Sequence, residues 1–158
     1  MNTLALCDQL ATRLQAKGWM LATAESCTGG LIAGACTDLA GSSNWFERGF
    51  VTYSNAAKTE LLGVDAGLIG QDGAVSESVV RAMAQGAIER SRAQVSVAVT
   101  GVAGPTGGSK DKPVGTVWLG WSVDGIITSE LMRFEGDRAA VRAQTVQHAL
   151  ATLLKLLG

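Results

Sequence analysis

The sequence is poor in the residues that metal sites and disulfide frameworks require. Its 158 residues include one histidine and three cysteines. A zinc site needs at least three converging Cys, His or carboxylate ligands, and neither CxxC nor HxxxH spacing occurs, so we expect no metal. The cysteines (Cys7, Cys27 and Cys36) are odd in number and lack framework spacing, which favours a reduced, cytoplasmic setting.

The sequence also has little excess of positive or negative charge and no long apolar run. Thirteen Lys and Arg residues face fourteen Asp and Glu residues, for a net charge of −1, and no basic block occurs. This argues against binding to nucleic acid or to a membrane surface. The longest uncharged run, between Arg92 and Lys110, is interrupted by Gly, Pro, Ser and Gln, so we expect no transmembrane span. We also expect no signal peptide, because no basic segment precedes an apolar run at the start.

The composition present is that of a soluble globular protein, with 47% hydrophobic and 17% charged residues. A chain of this length suits one domain, which we expect to span 1–158 and to bury about 70% of its unfolded surface. Apolar periodicity predicts helices and strands in alternation. The predicted helices cover 3–17, 28–39, 56–62, 77–92 and the chain after Asp137, and the predicted strands cover 19–24, 45–53, 94–100, 116–123 and 126–134.

The connections between these elements complete the predicted fold. Asn55 is predicted to cap the third helix, and residues 64–75 form a Gly- and Asp-rich connection. Asp124-Gly125, between the last two strands, is typical of a two-residue hairpin. We therefore expect an α/β fold: a three-layer α/β/α sandwich whose mixed, mostly parallel sheet has about five strands, one of them antiparallel.

Three stretches follow predicted strands, at the edge of the sheet where ligands bind in such folds. They are Glu25–Gly30, Tyr53–Lys58 and Gly101–Gly108. In the first, Ser26 lies where a strand meets a helix N-terminus, so a nucleophile there would find oxyanion stabilisation in place. The alternative for this serine is an ordinary helix cap with no chemistry attached.

The second stretch brings a tyrosine and a lysine to the start of a helix. A lysine there opposes the helix dipole and is usually solvated, but a buried Lys58 would have a lowered pKa and could act as a general base. Tyr53 on its own indicates a packing residue with its hydroxyl at the rim. Cys27, beside Ser26, is the alternative nucleophile, because a thiolate at a helix start is activated.

The third stretch is a long Gly-rich loop that is neither a Walker A loop nor GxGxxG. Its glycines would let backbone amides converge on an anion, and Thr106 could add a hydroxyl; a flexible surface loop is the alternative. Arg138 and Arg142 are four residues apart on one face of the last helix, at the end that disfavours cations. This placement indicates an anionic ligand, although exposed arginine is the default interpretation.

Six motifs, taken in order, resemble the C-terminal domain of the competence/damage-inducible protein CinA, and the resemblance covers nearly the whole chain. The motifs are Ala24-Glu-Ser-Cys-Thr-Gly-Gly30, Tyr53-Ser-Asn-Ala-Ala-Lys58, Gly73-Ala-Val-Ser76, Val99-Thr-Gly-Val-Ala-Gly-Pro-Thr-Gly-Gly108, Pro113-Val-Gly-Thr-Val117 and Phe134-Glu-Gly-Asp-Arg138. Stand-alone members of that family are nicotinamide-nucleotide amidohydrolases.

The resemblance implies deamidation of nicotinamide mononucleotide to nicotinate mononucleotide and ammonia in pyridine-nucleotide salvage, with no metal or organic cofactor. It implies Ser26 as nucleophile, Lys58 as base and Tyr53 as a residue that relays or positions the proton. The residues expected to bind substrate are Cys27, Thr28, Gly29 and Gly30 at the oxyanion, and Gly101, Gly104, Thr106, Gly107, Gly108 and either Arg138 or Arg142 at the phosphate.

Two other functions stay open on the sequence. The Gly-rich loop would also suit a non-catalytic nucleotide-binding module in a competence or DNA-damage pathway, although the near-neutral charge gives no support for nucleic-acid binding. The second alternative is a structural assembly domain, because Trp45, Phe46 and Phe50 could form a subunit interface. A homo-oligomer is expected and is compatible with the enzyme.

Overall fold

The computed structural model describes residues 1–158, which form six helices, five strands and one 3₁₀ turn. The helices are α1 (Thr3–Lys17), α2 (Leu31–Thr37), α3 (Asn55–Leu62), α4 (Ala66–Asp72), α5 (Glu77–Glu89) and α6 (Arg138–Leu157), and the 3₁₀ turn is Ser42–Asn44. The strands are β1 (Leu21–Glu25), β2 (Phe46–Val51), β3 (Val95–Gly101), β4 (Thr116–Val123) and β5 (Ile126–Arg133). None of the helices is both long and apolar enough to cross a membrane.

The strands form one mixed sheet in the order β2-β1-β3-β4-β5. β1 lies parallel to both β2 and β3, while β4 is antiparallel to its neighbours β3 and β5. β5 therefore runs in the same direction as β1, β2 and β3, and β4 is the one reversed strand. The predicted α/β fold with a five-stranded, mostly parallel sheet is confirmed.

Helices cover both faces of this sheet. On one face, α1, α2 and α6 enclose a core of 23 buried residues that includes Val97 of β3. On the other face, α5 packs in a second core of 12 buried residues that includes Ala98, the next residue of the same strand. Small residues let α5 approach the sheet closely: a Cβ on Gly120 of β4 would lie 3.2 Å from the Val80 carbonyl oxygen of α5.

Side-chain caps set the starts of the helices that matter for the site. Ser76 caps α5 and Asp137 caps α6, as the sequence predicts, by accepting hydrogen bonds from backbone amides of the first turn. The cap of α3 is Ser54, whose Oγ accepts from the Ala57 amide at 3.0 Å. The prediction that Asn55 caps this helix is therefore wrong by one residue.

Two predictions about helix extents are also wrong. The connection 64–75 contains α4, a helix of 7 residues that Asp65 caps; two glycines within it obscure the helical pattern. α2 begins at Leu31 instead of residue 28, because Gly30 has a φ of 109°, which an α-helix cannot include. The residues before it form a tight turn.

Trp45 is a core residue. Its side chain is 1% exposed and belongs to the larger core, and Phe46 and Phe50 are partly buried against one core each. Trp45 is too buried to contact another subunit, so the predicted subunit interface at these three residues is wrong for Trp45. The homo-oligomer itself stays a prediction.

The order of the strands creates a switch point at β1. The chain leaves β1 for β2 on one side, and returns past β1 to β3 on the other side. In open α/β sheets, ligands bind in the crevice at such a point, beyond the carboxyl ends of the strands. Here the crevice lies between the end of β1 at Glu25 and the end of β3 at Gly101.

The close packing of α5 on the end of α3 gives a stability prediction. A Cβ on Gly86 would overlap the Leu62 carbonyl oxygen, whereas a Cβ on Gly70 of α4 would meet nothing within 4 Å. We expect Gly86→Ala to lower the free energy of unfolding in urea by about 1–3 kcal/mol, because the two backbones must separate. The matched control Gly70→Ala should be neutral or stabilising by up to about 1 kcal/mol. Equal stability of the two variants would contradict the close approach.

Candidate active site

A cavity of about 230 Å³ lies at the switch point. It takes residues from the turn after β1, the start of α3, the end of β3 and the start of α6, so each of the three predicted stretches contributes to it. Six predicted site residues line it: Ser26, Cys27, Tyr53, Lys58, Gly101 and Arg138.

Lys58 is buried beside Ser26, with 1% of its surface exposed. Its Nζ lies 3.1 Å from Ser26 Oγ, and it donates to the carbonyl oxygens of Thr52 at 2.9 Å and Tyr53 at 3.2 Å. Neither of the protein's two ion pairs involves this amine. Burial lowers the pKa of Lys58 below its ordinary value, because removal from water disfavours the charged form.

The turn after β1 leaves backbone amides free next to Ser26. The Ser26 amide donates to the Val99 carbonyl of β3 at 3.1 Å, which ties Ser26 to the neighbouring strand. The amides of Cys27, Thr28 and Gly30 donate to no other group of the protein. Such unpaired donors are uncommon and mark places where a ligand can supply the acceptor.

Two glycines make this turn. Gly29 and Gly30 have φ values of 57° and 109°, a region that L side chains rarely adopt. The Gly29 amide donates to the Ser26 carbonyl at 3.0 Å, so it closes the turn and is not available to a ligand. Of these two predicted oxyanion residues, only Gly30 keeps a free amide.

Glu25 is a site residue that the sequence patterns did not single out. It is 1% exposed, and its carboxylate accepts from Thr28 Oγ1 at 2.5 Å and from the amides of Ile32 at 2.8 Å and Ala33 at 3.0 Å. The N-terminal amides of α2 are therefore used inside the protein. The signal available in the sequence is an acidic residue shortly before a predicted helix start.

Arg138 and Tyr53 meet at the edge of the cavity. Arg138 Nη1 donates to the Gly104 carbonyl at 2.8 Å, and Nη2 donates to the Tyr53 hydroxyl at 3.3 Å. The Tyr53 side chain is 62% exposed, and its hydroxyl has no hydrogen bond to Ser26 or Lys58. A proton relay through Tyr53 therefore stays a prediction.

Arg142 does not line the cavity, although it follows Arg138 by one helical turn. Its Nε donates to the Cys27 carbonyl at 3.1 Å, and its Nη2 donates to the Thr28 carbonyl at 3.2 Å. Of the two arginines that the sequence leaves as alternatives for phosphate binding, Arg138 is the one at the cavity.

The Gly-rich loop contributes less to the cavity than its composition indicates. Gly101 lines it, and Gly104 contacts Arg138 through its carbonyl. Thr106, Gly107 and Gly108 are exposed and lie outside the lining. Their role in phosphate binding stays a prediction.

Cys27 is a poor candidate for the nucleophile. Its side chain is 5% exposed, and burial raises the pKa of its thiol to about 11. The thiolate is the reactive form, so this environment keeps the sulfur inert near neutral pH.

A serine hydroxyl in contact with a buried lysine, beside free backbone amides, is the arrangement that a serine nucleophile with a lysine base requires. Such a pair suits acyl transfer, in which a hydroxyl attacks a carbonyl carbon and amides stabilise the oxyanion. No three His, Cys, Asp or Glu side chains come together as a group that could hold a metal ion.

The chain belongs to the family described as the CinA C-terminal domain, whose sequence pattern matches residues 3–157. The nicotinamide-nucleotide amidohydrolase PncC of Enterobacter agglomerans is 56% identical over 148 residues, which are 93% of this chain and 90% of that protein. The protein of the same name in Escherichia coli strain K12 is 52% identical over 151 residues, 94% of this chain and 90% of that protein. The crystal structure of the competence/damage inducible protein CihA from Agrobacterium tumefaciens is 47% identical, with a TM-score of 0.96 over 99% of this chain and 96% of that chain.

The raised pKa of Cys27 gives a prediction for thiol labelling. With a pKa of about 11, this thiol is about 0.1% ionised near pH 8. We expect alkylation of Cys27 by iodoacetamide, followed by peptide mass spectrometry, to accelerate about tenfold per pH unit up to at least about pH 9.5. The alkylation rate of glutathione, the control with an ordinary thiol pKa, should level off about two pH units below that of Cys27. A plateau for Cys27 near the ordinary thiol pKa would contradict the assignment.

Proposed function

We propose that the protein hydrolyses the carboxamide of nicotinamide mononucleotide to nicotinate mononucleotide and ammonia, with Ser26 as nucleophile and Lys58 as general base. The observation that carries the proposal is the 3.1 Å contact between Lys58 Nζ and Ser26 Oγ in the cavity. The substrate is inferred from relatives that bear the name nicotinamide-nucleotide amidohydrolase and match over about nine-tenths of their length.

The surroundings of Lys58 favour a neutral amine whose lone pair faces Ser26. A neutral amine has two N–H bonds, and the Thr52 and Tyr53 carbonyls accept two hydrogen bonds from Nζ. The remaining contact, to Ser26 Oγ, can then be made by the lone pair, which accepts the hydroxyl hydrogen. Burial without a carboxylate partner disfavours the ammonium form. Lys58 thus lies within hydrogen-bond reach of Ser26, and its lowered pKa makes the amine easier to deprotonate than an ordinary lysine, as a general base requires.

The reaction proceeds in two halves. Lys58 accepts the Ser26 proton while Ser26 Oγ bonds to the carboxamide carbon, and the C–N bond then breaks as Lys58 returns that proton to the leaving nitrogen, which departs as ammonia. In the second half, Lys58 takes a proton from water, the water oxygen bonds to the acyl carbon, and the ester bond to Ser26 breaks. The acid is released, and Ser26 regains its proton.

The negative charge that develops on the carboxamide oxygen needs donors already in place. The amides of Cys27 and Thr28 follow Ser26 directly and have no acceptor elsewhere in the protein. Amides held ready in a site that excludes water stabilise an oxyanion strongly, and removal of one such donor typically slows an enzyme about a hundred- to a thousandfold.

Arg138 is the residue best placed to bind the substrate phosphate. Arg138 lines the cavity, and a bidentate arginine contact suits a phosphate group. In the structure its nitrogens donate to one carbonyl and to the Tyr53 hydroxyl, both of them neutral acceptors that an anion can replace. Arg138 would therefore distinguish the mononucleotide from the riboside.

Ammonia release tests the nucleophile. We expect purified wild-type protein to release ammonia from nicotinamide mononucleotide, and Ser26→Ala to lower the rate by at least about a thousandfold, because no other hydroxyl touches Lys58 Nζ. Ser43→Ala, which changes an exposed serine, is the matched control and should retain the wild-type rate.

Two outcomes would overturn this proposal in different ways. Turnover by Ser26→Ala at the wild-type rate would remove Ser26 as nucleophile and direct attention to Cys27. Binding of the nucleotide by both proteins, with no ammonia from either, would favour a non-catalytic nucleotide-binding module.

The lowered pKa of Lys58 predicts the direction of the pH dependence. The rate should rise with pH as the buried amine loses its proton, with the inflection below the ordinary lysine value of 10.5. Lys58→Arg keeps a side chain that stays protonated, so we expect no measurable rate from about pH 6 to about pH 10. Initial rates across that range for both proteins provide the measurement. A wild-type rate that falls steadily as the pH rises would contradict the assignment of Lys58 as base.

A further inference from the structure

Arg142 contacts the turn that follows Ser26 but does not line the cavity. It is half-buried on α6, lies outside the cavity lining, and directs two of its nitrogens at the carbonyls of Cys27 and Thr28. These carbonyls belong to the Cys27–Thr28 and Thr28–Gly29 peptide planes of the turn. The guanidinium therefore holds backbone atoms of the turn.

Because a peptide unit is planar, hydrogen bonds to the turn carbonyls also set the direction of the free amides. In a trans peptide, the carbonyl and the N–H of one plane point in opposite directions. The Cys27 carbonyl shares its plane with the Thr28 amide, so drawing that oxygen toward Arg142 turns the Thr28 N–H away from α6. In the same way, the Thr28 carbonyl orients the Gly29 amide. That amide donates to the Ser26 carbonyl at 3.0 Å, and this hydrogen bond fixes the peptide plane that contains the Cys27 amide.

Glu25 holds the same turn through a different set of groups. Its carboxylate binds Thr28 Oγ1, while the Thr28 carbonyl accepts from Arg142 and from the Leu31 amide. Thr28 is fully buried, and its amide is the only one of its polar groups without a partner. An orphan donor in a turn held from both sides is the feature expected of a preorganised oxyanion site.

We infer that Arg142 is a positioning residue, whose guanidinium fixes the peptide planes after Ser26 so that the amides of Cys27 and Thr28 face the developing oxyanion. It does not bind the substrate phosphate. This inference rests on the proposed function. A cation 3.1–3.2 Å from the two carbonyls also polarises their peptide groups, which strengthens the N–H bonds as donors to an anion.

The test compares two substrates that share the carboxamide and differ in the phosphate: nicotinamide mononucleotide and nicotinamide riboside. For Arg142→Ala we expect kcat to fall by about 10- to 100-fold on both substrates, with KM within about threefold of wild type, because the lost interaction acts in the transition state. The kcat of Arg142→Lys, whose side chain offers one flexible donor group, should lie between those of wild type and Arg142→Ala. Added methylguanidinium should restore part of the kcat of Arg142→Ala.

Arg138→Ala provides the contrasting pattern for a phosphate contact. It should raise KM for the mononucleotide and leave KM for the riboside nearly unchanged. The same pattern in Arg142→Ala would overturn the inference, because it would make Arg142 a phosphate ligand. A wild-type kcat for Arg142→Lys and Arg142→Ala on both substrates would also overturn it.

A stability control separates positioning from folding. Gln144→Ala, on the same helix, removes side-chain hydrogen bonds to the Glu135 and Ala140 carbonyls and touches no residue of the turn. We expect it to keep the wild-type kcat. If Arg142→Lys loses kcat but its Tm is no lower than that of Gln144→Ala, the result supports positioning. If kcat falls in proportion to the decrease in Tm in all of these variants, the result would overturn the inference.

A chemical probe distinguishes failure of this inference from failure of the proposed function. Phenylmethanesulfonyl fluoride bonds its sulfur to Ser26 Oγ, releases fluoride and leaves the serine proton on Lys58; intact mass reports the adduct. If wild type releases no ammonia from either substrate but labels at Ser26, the proposed function fails. Labelling of Arg142→Lys at least about tenfold slower would still support the inference. Labelling at the wild-type rate would overturn it.

Discussion

The burial of the Lys58 amine is the constraint on which the site depends. A lysine in water is protonated at neutral pH and cannot accept a proton from serine. Here the fold removes the amine from water, supplies carbonyls for two N–H bonds and offers no carboxylate that would hold the charge. The start of α3 sets this geometry. Ser54 caps the helix, Lys58 is its fourth residue, and the Lys58 amine donates to the Thr52 and Tyr53 carbonyls just before the cap. Burial thus lowers the pKa of Lys58, as its proposed role of general base requires.

The turn after β1 is the other half of the candidate site, and two side chains of opposite charge hold it. Glu25 binds the Thr28 hydroxyl and the first amides of α2, while Arg142 binds the turn carbonyls. Because Glu25 occupies the amides of the helix, the free donors are those of the turn itself. The sheet order then brings this turn beside the end of β3, where the Ser26 amide finds the Val99 carbonyl.

Much of the fold could be predicted from local patterns, because those patterns act through neighbours in the chain. Asp124-Gly125 adopts φ values of 50° and 83°, as a tight hairpin requires, and Ser76 and Asp137 cap their helices. The failures had two causes. Glycines within α4 obscured its helical pattern locally, whereas Trp45 looks like an interface residue in sequence but is buried in the core by distant contacts.

The sequence by itself determined the α/β class, the stretches that follow the strands and, through six motifs, the candidate pair of Ser26 and Lys58. The tertiary structure alone decided that Lys58 is buried against Ser26, that Arg138 lines the cavity, and that Arg142 holds backbone carbonyls. The physical reason is the range of the interactions. Periodicity, caps and turns involve residues a few positions apart, whereas the pKa of an amine and the partner of a guanidinium depend on atoms that only the folded sheet brings together.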